Sequence, residues 1–465
     1  NMHIGDPFGR MNTILESLRI NQQQRLEELS ACLQIPSISS DPEHADSMRE
    51  CADWMAALLR QAGMTTVKVH DTPGHPIVTG TWLHAEGKPT LLIYGHYDVQ
   101  PVDPLELWEA PPFVARIHND RIFARGAADD KGQILMHIHA ARAILQTHGH
   151  LPLNLIFLIE GEEEISSPNL PAFLYEQKSW LQADLALVSD TCMWAEGIPS
   201  ITNSLRGLVA LEVAVTGPKR DLHSGSFGGA VANPVEILAR MLATLKDDSG
   251  TIRVLGFYAN VVEPSVTDRQ RMANIPFDLA AYYQEIGIRA DWGEAGYSVL
   301  ERIWMRPTIE INGMWGGYTG SGVKTVLPSQ AFAKLSMRLV PNQTPDVMAD
   351  LLMRHLQVVA PPNVTVEVRK LPGGGDPWQL SSDLPAVGAA QRALQESFGQ
   401  SPMIIGEGAS IPIVADFERI LGIKTLLVGF SLPDAAPHAP NENLHLPSFH
   451  IGTESLVRMM YYLSR

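Results

Sequence analysis

Several strand-length runs of apolar residues in the first part of the chain each end in a knot of acids or histidine, and that recurrence limits the folds open to it. Residues 90–94 run into Gly95-His96-Tyr97-Asp98, and 121–124 into Arg125-Gly126-Ala127-Ala128-Asp129-Asp130-Lys131-Gly132. Residues 153–159 run into Glu160-Gly161-Glu162-Glu163-Glu164, and 184–188 into Ser189-Asp190. Continuous apolar strands set between helical stretches imply a sheet covered on both faces. In an open sheet of that kind, ligands bind beyond the carboxyl ends of the strands. The polar knots are therefore expected to meet at one edge of the sheet.

The rest of the chain fits an α/β domain interrupted by a smaller one. Leu26, Leu29 and Leu33 recur at helical spacing, and 52–59 lies in a second helical stretch. Residues 66–69 and 76–82 read as strands, and 113–117 with 121–124 as a hairpin about His118-Asn119-Asp120. Residues 131–146 read as a helix stopped by Gly149. After Arg206-Gly207 the texture changes. Residues 208–216 alternate as a half-exposed strand, Asn233-Pro234 opens a helix to about Leu245, 331–339 and 364–368 read as strands, and 345–356 as a helix. This α+β insert ends at the linker Pro372-Gly373-Gly374-Gly375-Asp376-Pro377. The division expected is 11–205 and 379–465 for the larger domain, with 206–378 inserted.

A chain of 465 residues is long enough for two domains. Its 35 Lys and Arg stand against 51 Asp and Glu, a net charge of −16, which argues against nucleic acid and against anionic membranes as partners. No apolar run is long enough to span a bilayer, and residues 1–10 lack a basic-then-apolar leader pattern. The three cysteines, Cys32, Cys51 and Cys192, form no CxxC pair, so a reducing, cytoplasmic setting is expected.

Each polar knot has an ordinary explanation when taken alone. Asp129-Asp130 before a helix can be an N-cap, Glu162-Glu163-Glu164 a charged loop, and His96 a packed histidine. Together, acids brought to one edge without a counter-ion would repel, and a pair of divalent metal ions resolves that conflict. His96 and Asp98 are two apart, so in extended chain they point to one side and the carboxylate can fix the ring's tautomer. His137, His139, His148 and His150 make no ligand spacing and read as structural.

These motifs resemble those of the M20 metallopeptidases, in particular the dipeptidase branch that includes carnosinase-like enzymes. Gly95-His96-Tyr97-Asp98-Val99-Gln100-Pro101 is similar to the branch's GHxDVQP, and Arg125 to Gly132 to RGxxDDKG. Glu163-Glu164-Ile165-Ser166-Ser167 resembles EExGS, with Ser166 in place of Gly. Asp221-Leu222-His223-Ser224-Gly225, then Phe227-Gly228-Gly229 and Asn233-Pro234, resembles DLHSGxFGGxxxNP. The resemblance runs from His96 to about Glu442. It implies a central, mostly parallel sheet flanked by helices, plus an inserted lid and dimerisation domain.

The resemblance also implies a two-metal site, zinc first, with manganese or cobalt as alternatives. His96 and Asp190 would hold one ion, Glu164 and His438 the other, with Asp129 between them. It implies a cis peptide after Asp129, and amide hydrolysis by a metal-bridging hydroxide with Glu163 as general base. Spacing alone leaves Glu162 open as the base. Asp98 and His223 join Glu163 in the catalytic set, and His223 would be lent to the other subunit of a homodimer. Arg338 would grip the substrate carboxylate, with Thr325 and Ser410 as further contacts. In Gly406-Glu407-Gly408-Ala409-Ser410-Ile411-Pro412 the family's leading Arg is replaced by Gly406. The expected substrate is a dipeptide or short peptide. An N-acyl amino acid deacylase using the same site is the alternative, and a non-catalytic scaffold does not fit a complete set of ligands and base.

Overall fold

The computed structural model describes residues 7–465, so the leader reading of residues 1–10 falls partly outside the described residues. The chain divides into two compact units, one built from residues up to 203 with 380–405 and 416–465, the other from 204–379 with 406–415. The segment 406–415 thus belongs with the second unit, although sequence alone assigned it to the larger domain. Its attachment is specific. Arg206 donates from its backbone N to Glu407 O at 3.2 Å and from Nε to Gly408 O at 3.2 Å. A Cβ at Gly406 would lie 2.6 Å from Trp304 Cβ, so the arginine that the resemblance would place there has no room here.

In the first unit, four parallel strands form the heart of one sheet. Asn154–Glu160 pairs with Thr90–His96, which pairs with Leu185–Val188, which pairs with Lys424–Leu427. Ile77–Trp82 and Thr66–His70 extend it antiparallel on one side, and Ser200–Leu205 pairs antiparallel on the other. Six of the seven residues of Asn154–Glu160 and of Thr90–His96 are buried, as strands covered on both faces must be. The two coverings can be named. The Tyr94 ring meets Phe417 edge-on at 5.6 Å, while Gly95, on the opposite face, would bring a Cβ within 2.7 Å of Ile134. Ile134 belongs to Lys131–His148, the most buried helix of the unit, which ends on Gly149 at φ +74. That left-handed stop is open to glycine at no steric cost.

The hairpin about His118-Asn119-Asp120 is present but short. Arg116–His118 pairs with Arg121–Phe123, and Asn119 and Asp120 both take positive φ, as a tight two-residue turn demands. Asn443–His445 pairs with Arg121–Phe123 on its other edge, a long-range contact that no local pattern announces.

The second unit is an antiparallel sheet in the order Thr308–Gly316, Gln330–Leu339, Gly207–Thr216, Thr365–Lys370. Gly207–Thr216 alternates strictly between buried and half-buried positions. Val209, Leu211, Val213 and Val215 join Ala333, Leu335 and Met337 in a core with Leu238 and Leu352 from the helices Pro234–Ala243 and Pro345–Val359. The strand Thr308–Gly316 was not foreseen; a register shift between Ile311 and Gly313 breaks its period. No helix among the described residues is long and apolar enough to cross a membrane.

Candidate metal centre

Strand register brings the polar knots of the first unit together. His96 stands opposite Glu160 in the parallel pair, and Tyr94 stands opposite Val188, so Asp190, two residues beyond Val188, reaches the level of His96. Asp129 arrives on the turn that opens the helix Lys131–His148, and the Asp129–Asp130 peptide is cis. His438 arrives on the loop before Asn443–His445, which the hairpin edge pulls alongside that turn.

The geometry centres on Asp129. Its Oδ1 lies 3.1 Å from His96 Nε2, and its Oδ2 lies 2.9 Å from His438 Nε2. Asp190 Oδ2 lies 3.4 Å from His96 Nε2, and Glu164 Oε2 lies 3.1 Å from His438 Nε2. Glu163 Oε2 stands 3.7 Å from His96 Nε2. His96, Asp129 and Asp190 can thus hold one ion and Asp129, Glu164 and His438 another, the two sets sharing Asp129.

The donors around His96 test whether a cation fits. His96 Nδ1 lies 3.1 Å from the backbone oxygen of Asp98 and 3.3 Å from its Oδ1, which places the ring proton on Nδ1. Nε2 then turns a bare lone pair toward three carboxylates. It is buried without a hydrogen-bond partner. That arrangement is repulsive unless a cation stands among the atoms. Protons can take that part. Burial alone would lower the His96 pKa, but Asp190, Asp129 and Asp98 raise it well above the usual imidazole range. Hydrogen bonds to Asp129 and Glu164 push His438 up to about 10. Burial and the charge of Asp129 push Asp190 up to about 7, and burial lifts Glu163 well above the carboxylate range against the pull of His96. Divalent ions answer the same field, and a nitrogen-and-oxygen donor set suits zinc, manganese or cobalt.

Other acids nearby serve as scaffold. The Asp98 carboxylate accepts from Ser39 Oγ at 2.7 Å, Glu163 N at 3.2 Å and Glu164 N at 3.0 Å, which aims the two glutamates. Glu162 turns away, accepting from His75 N at 2.7 Å and from Asn169. Glu164 also accepts from Gln100 Nε2 at 2.7 Å. Glu442 is fully buried and accepts from Arg125 Nη1 at 2.8 Å and from the backbone N of Gly126, Ala128 and Asp129 at 3.0–3.1 Å. Arg125 also donates to Ala439 O at 3.0 Å and Pro101 O at 2.9 Å, so one ion pair ties together the segments that carry Asp129, His438 and His96. Arg125 stands in a sequence motif and Glu442 at the end of the resemblance, but the sequence alone assigns neither this part. An acid four residues past His438 was the available signal. His137 is buried with Nε2 at 2.8 Å from Ser189 Oγ, and burial pulls it down to about 3.

The remaining candidates lie in the second unit and are not members of the cluster. His223 is exposed on a two-residue ladder, opposite Val326, and its Nδ1 accepts from Gly225 N at 3.0 Å. Thr325 adjoins it, with its carbonyl accepting from Ser224 N at 3.0 Å. Arg338 lies on Gln330–Leu339, and Ser410 on the 406–415 segment.

The profile of Peptidase family M20/M25/M40 matches residues 92–462. The chain is 30% identical to the Cys-Gly metallodipeptidase dug1 of Schizosaccharomyces pombe over 98% of both chains. The crystal structure of human carnosine dipeptidase 1 superposes with a TM-score of 0.79 at 27% identity, covering 98% of each chain. An M20 family metallo-carboxypeptidase from Sulfolobus solfataricus superposes at 0.80 and 32% identity, covering 95% of this chain and 99% of its own.

Two substitutions test the scaffold. Glu442→Gln places an amide against backbone donors and strips Arg125 of its partner; zinc affinity measured by calorimetry is expected to fall about 10–100-fold. Unchanged affinity in a folded variant would contradict the coupling. Ser166 holds φ +71, a left-handed conformation that glycine adopts freely. Ser166→Gly is expected to raise unfolding free energy in urea by roughly 0.5–1 kcal/mol, the strain relieved less the entropy glycine adds to the unfolded chain.

Proposed function

Because the chain belongs to Peptidase family M20/M25/M40 and is a metallopeptidase of it, we propose that it hydrolyses the amide bond of dipeptides or short peptides at the Asp129-centred cluster. The observation that carries this reading is the division of Asp129, one oxygen toward His96 and the other toward His438. His96, Asp190 and Asp129 would hold one divalent ion, and Asp129, Glu164 and His438 the second. When bound, such a pair supplies Lewis acidity, polarising the scissile carbonyl and bringing a water's pKa toward neutrality.

The chain's own residues do the rest. Glu163 is the base: its Oε2 faces the cluster, whereas the Glu162 carboxylate is spent on His75 N and Asn169. Glu163 takes the proton of the attacking water and hands it to the departing amine. Asp98 keeps Glu163 and Glu164 aimed through their backbone N–H groups. His223, with Nδ1 accepting from Gly225, keeps its ring proton on Nε2, where it can donate to the oxygen that gains charge during attack. Arg338 would grip the free carboxylate of the substrate, with Thr325 and Ser410 as further contacts. The relatives named above are peptidases, which supports this reading over an N-acyl amino acid deacylase.

A homodimer accompanies the role of His223. Thr308–Gly316 is an edge strand of the second unit, and it exposes Ile311, Met314 and Trp315 to a partner copy. The free cysteines Cys32, Cys51 and Cys192 suit a reducing, cytoplasmic setting.

Glu163→Gln is expected to abolish release of amino acids from a dipeptide panel while metal content stays near that of the parent; a retained rate would remove Glu163 from the mechanism. Chelation should stop turnover of the parent, and zinc or manganese should restore it. Mixing inactive Glu163→Gln with inactive His223→Ala should regain roughly a quarter of parental activity if histidine is exchanged across a two-fold dimer. No recovery after subunit exchange would place His223 in its own chain's site or outside catalysis.

A further inference from the structure

The sheet of the second unit covers one face with helices and turns the other to a cavity of about 370 Å³. Register decides which side chains line it. Arg338 stands between Thr308 on one neighbouring strand and Leu208 on the other. Arg206 lies two residues before Leu208, so it projects to the same face, diagonal to Arg338. Ser336 and Trp292 also line the wall.

Most of the cavity's cations already have acids. Arg306 pairs with Glu294 at 2.7 Å, Lys246 with Glu310 at 3.5 Å, and Arg302 with Asp291 at 3.6 Å. Arg206 differs. It is only 9% exposed and donates to three carbonyl oxygens, those of Gly408 at 3.2 Å, Arg302 at 3.3 Å and Arg306 at 3.4 Å. Among the described residues neither Arg206 nor Arg338 forms an ion pair with a carboxylate. Burial, then the charge of Arg338, pull Arg206 down to about 10 against the charges of Glu407 and Glu310, and it remains a cation at neutral pH. Two guanidiniums on one wall repel each other until anions arrive; Arg338 can grip a carboxylate through two hydrogen bonds, while Arg206, with Nε and Nη1 spent on carbonyls, keeps its charge and its Nη2 donors for an anion.

The reading above gives Arg338 one carboxylate, the terminal one of the substrate. Resting on that reading, we infer that Arg206 serves a second: the cavity selects peptides whose departing residue is Asp or Glu. A neutral residue there leaves Arg206 a buried cation without an anion, which is the less stable arrangement.

Steady-state kinetics on the zinc-loaded full chain decide this with isosteric pairs, Ala-Asp against Ala-Asn and Ala-Glu against Ala-Gln. The expected kcat/KM ratio favours each acid roughly tenfold or more, carried by KM, and shrinks with added salt. Arg206→Gln keeps donors for the carbonyls but not the charge, and should bring the ratio near one. If Arg206→Gln fails to fold, Arg206→Lys, which keeps a charge but carries it on one nitrogen, should lower the ratio while leaving it above one. Hydrolysis of the panel with ratios at or below one overturns the second-carboxylate inference and leaves the dipeptidase reading standing. A ratio that survives Arg206→Gln removes Arg206 from the selection. No hydrolysis of any dipeptide sinks the dipeptidase reading and this inference with it.

Discussion

Carboxylates crowded against one another in a buried edge of a sheet repel, and the head of the first unit is organised around that repulsion. An uncompensated buried carboxylate costs several kcal/mol. The chain answers in two ways. Asp98, Glu162 and Glu442 are saturated by N–H and O–H donors, Glu442 with a buried arginine as well. Asp129, Asp190 and Glu164 instead aim oxygens at imidazole nitrogens 2.9–3.4 Å away. The first group is scaffold, and the second can hold cations. That sorting follows from hydrogen-bond accounting rather than from residue type.

The same accounting explains the backbone around the site. Ala436, His438 and Asn441 all take positive φ, a conformation that non-glycine residues hold at a cost. The loop is nevertheless pinned. Arg125 takes the Ala439 carbonyl, Glu442 takes the turn before Asp129, and Asn443–His445 is laced to the hairpin edge. His438 is thereby delivered to Asp129 from more than three hundred residues away in sequence, on a loop whose own conformation is unfavourable.

Much of this was legible in the sequence, for identifiable reasons. Period-two alternation gave the strands near 208–216 and 331–339, and apolar runs gave the parallel strands, because burial on one face or two imprints those patterns directly. Polar knots after apolar runs marked the segments, and the resemblance singled out His96, Asp129, Glu163, Glu164 and Asp190 within them; the structure brings these side chains together. What stayed hidden was long-range or irregular. The pairing of Asn443–His445 with Arg121–Phe123 leaves no local trace, so Glu442 and Arg125 had no visible task. The bulge in Thr308–Gly316 hid a strand, and the attachment of 406–415 to the second unit depends on Arg206 meeting Gly408 across the sequence. The proposal of Glu163 over Glu162 as base rests on where each carboxylate finds its donors, which spacing does not encode.

In the proposed function Asp129 stands between two cations. A crystal structure of the zinc-loaded protein, with anomalous scattering recorded at the zinc edge, tests it most directly. Two peaks are predicted, one within bonding reach of His96 and Asp190 and one within reach of Glu164 and His438, with Asp129 touching both. A single peak, or peaks away from Asp129, would contradict the account.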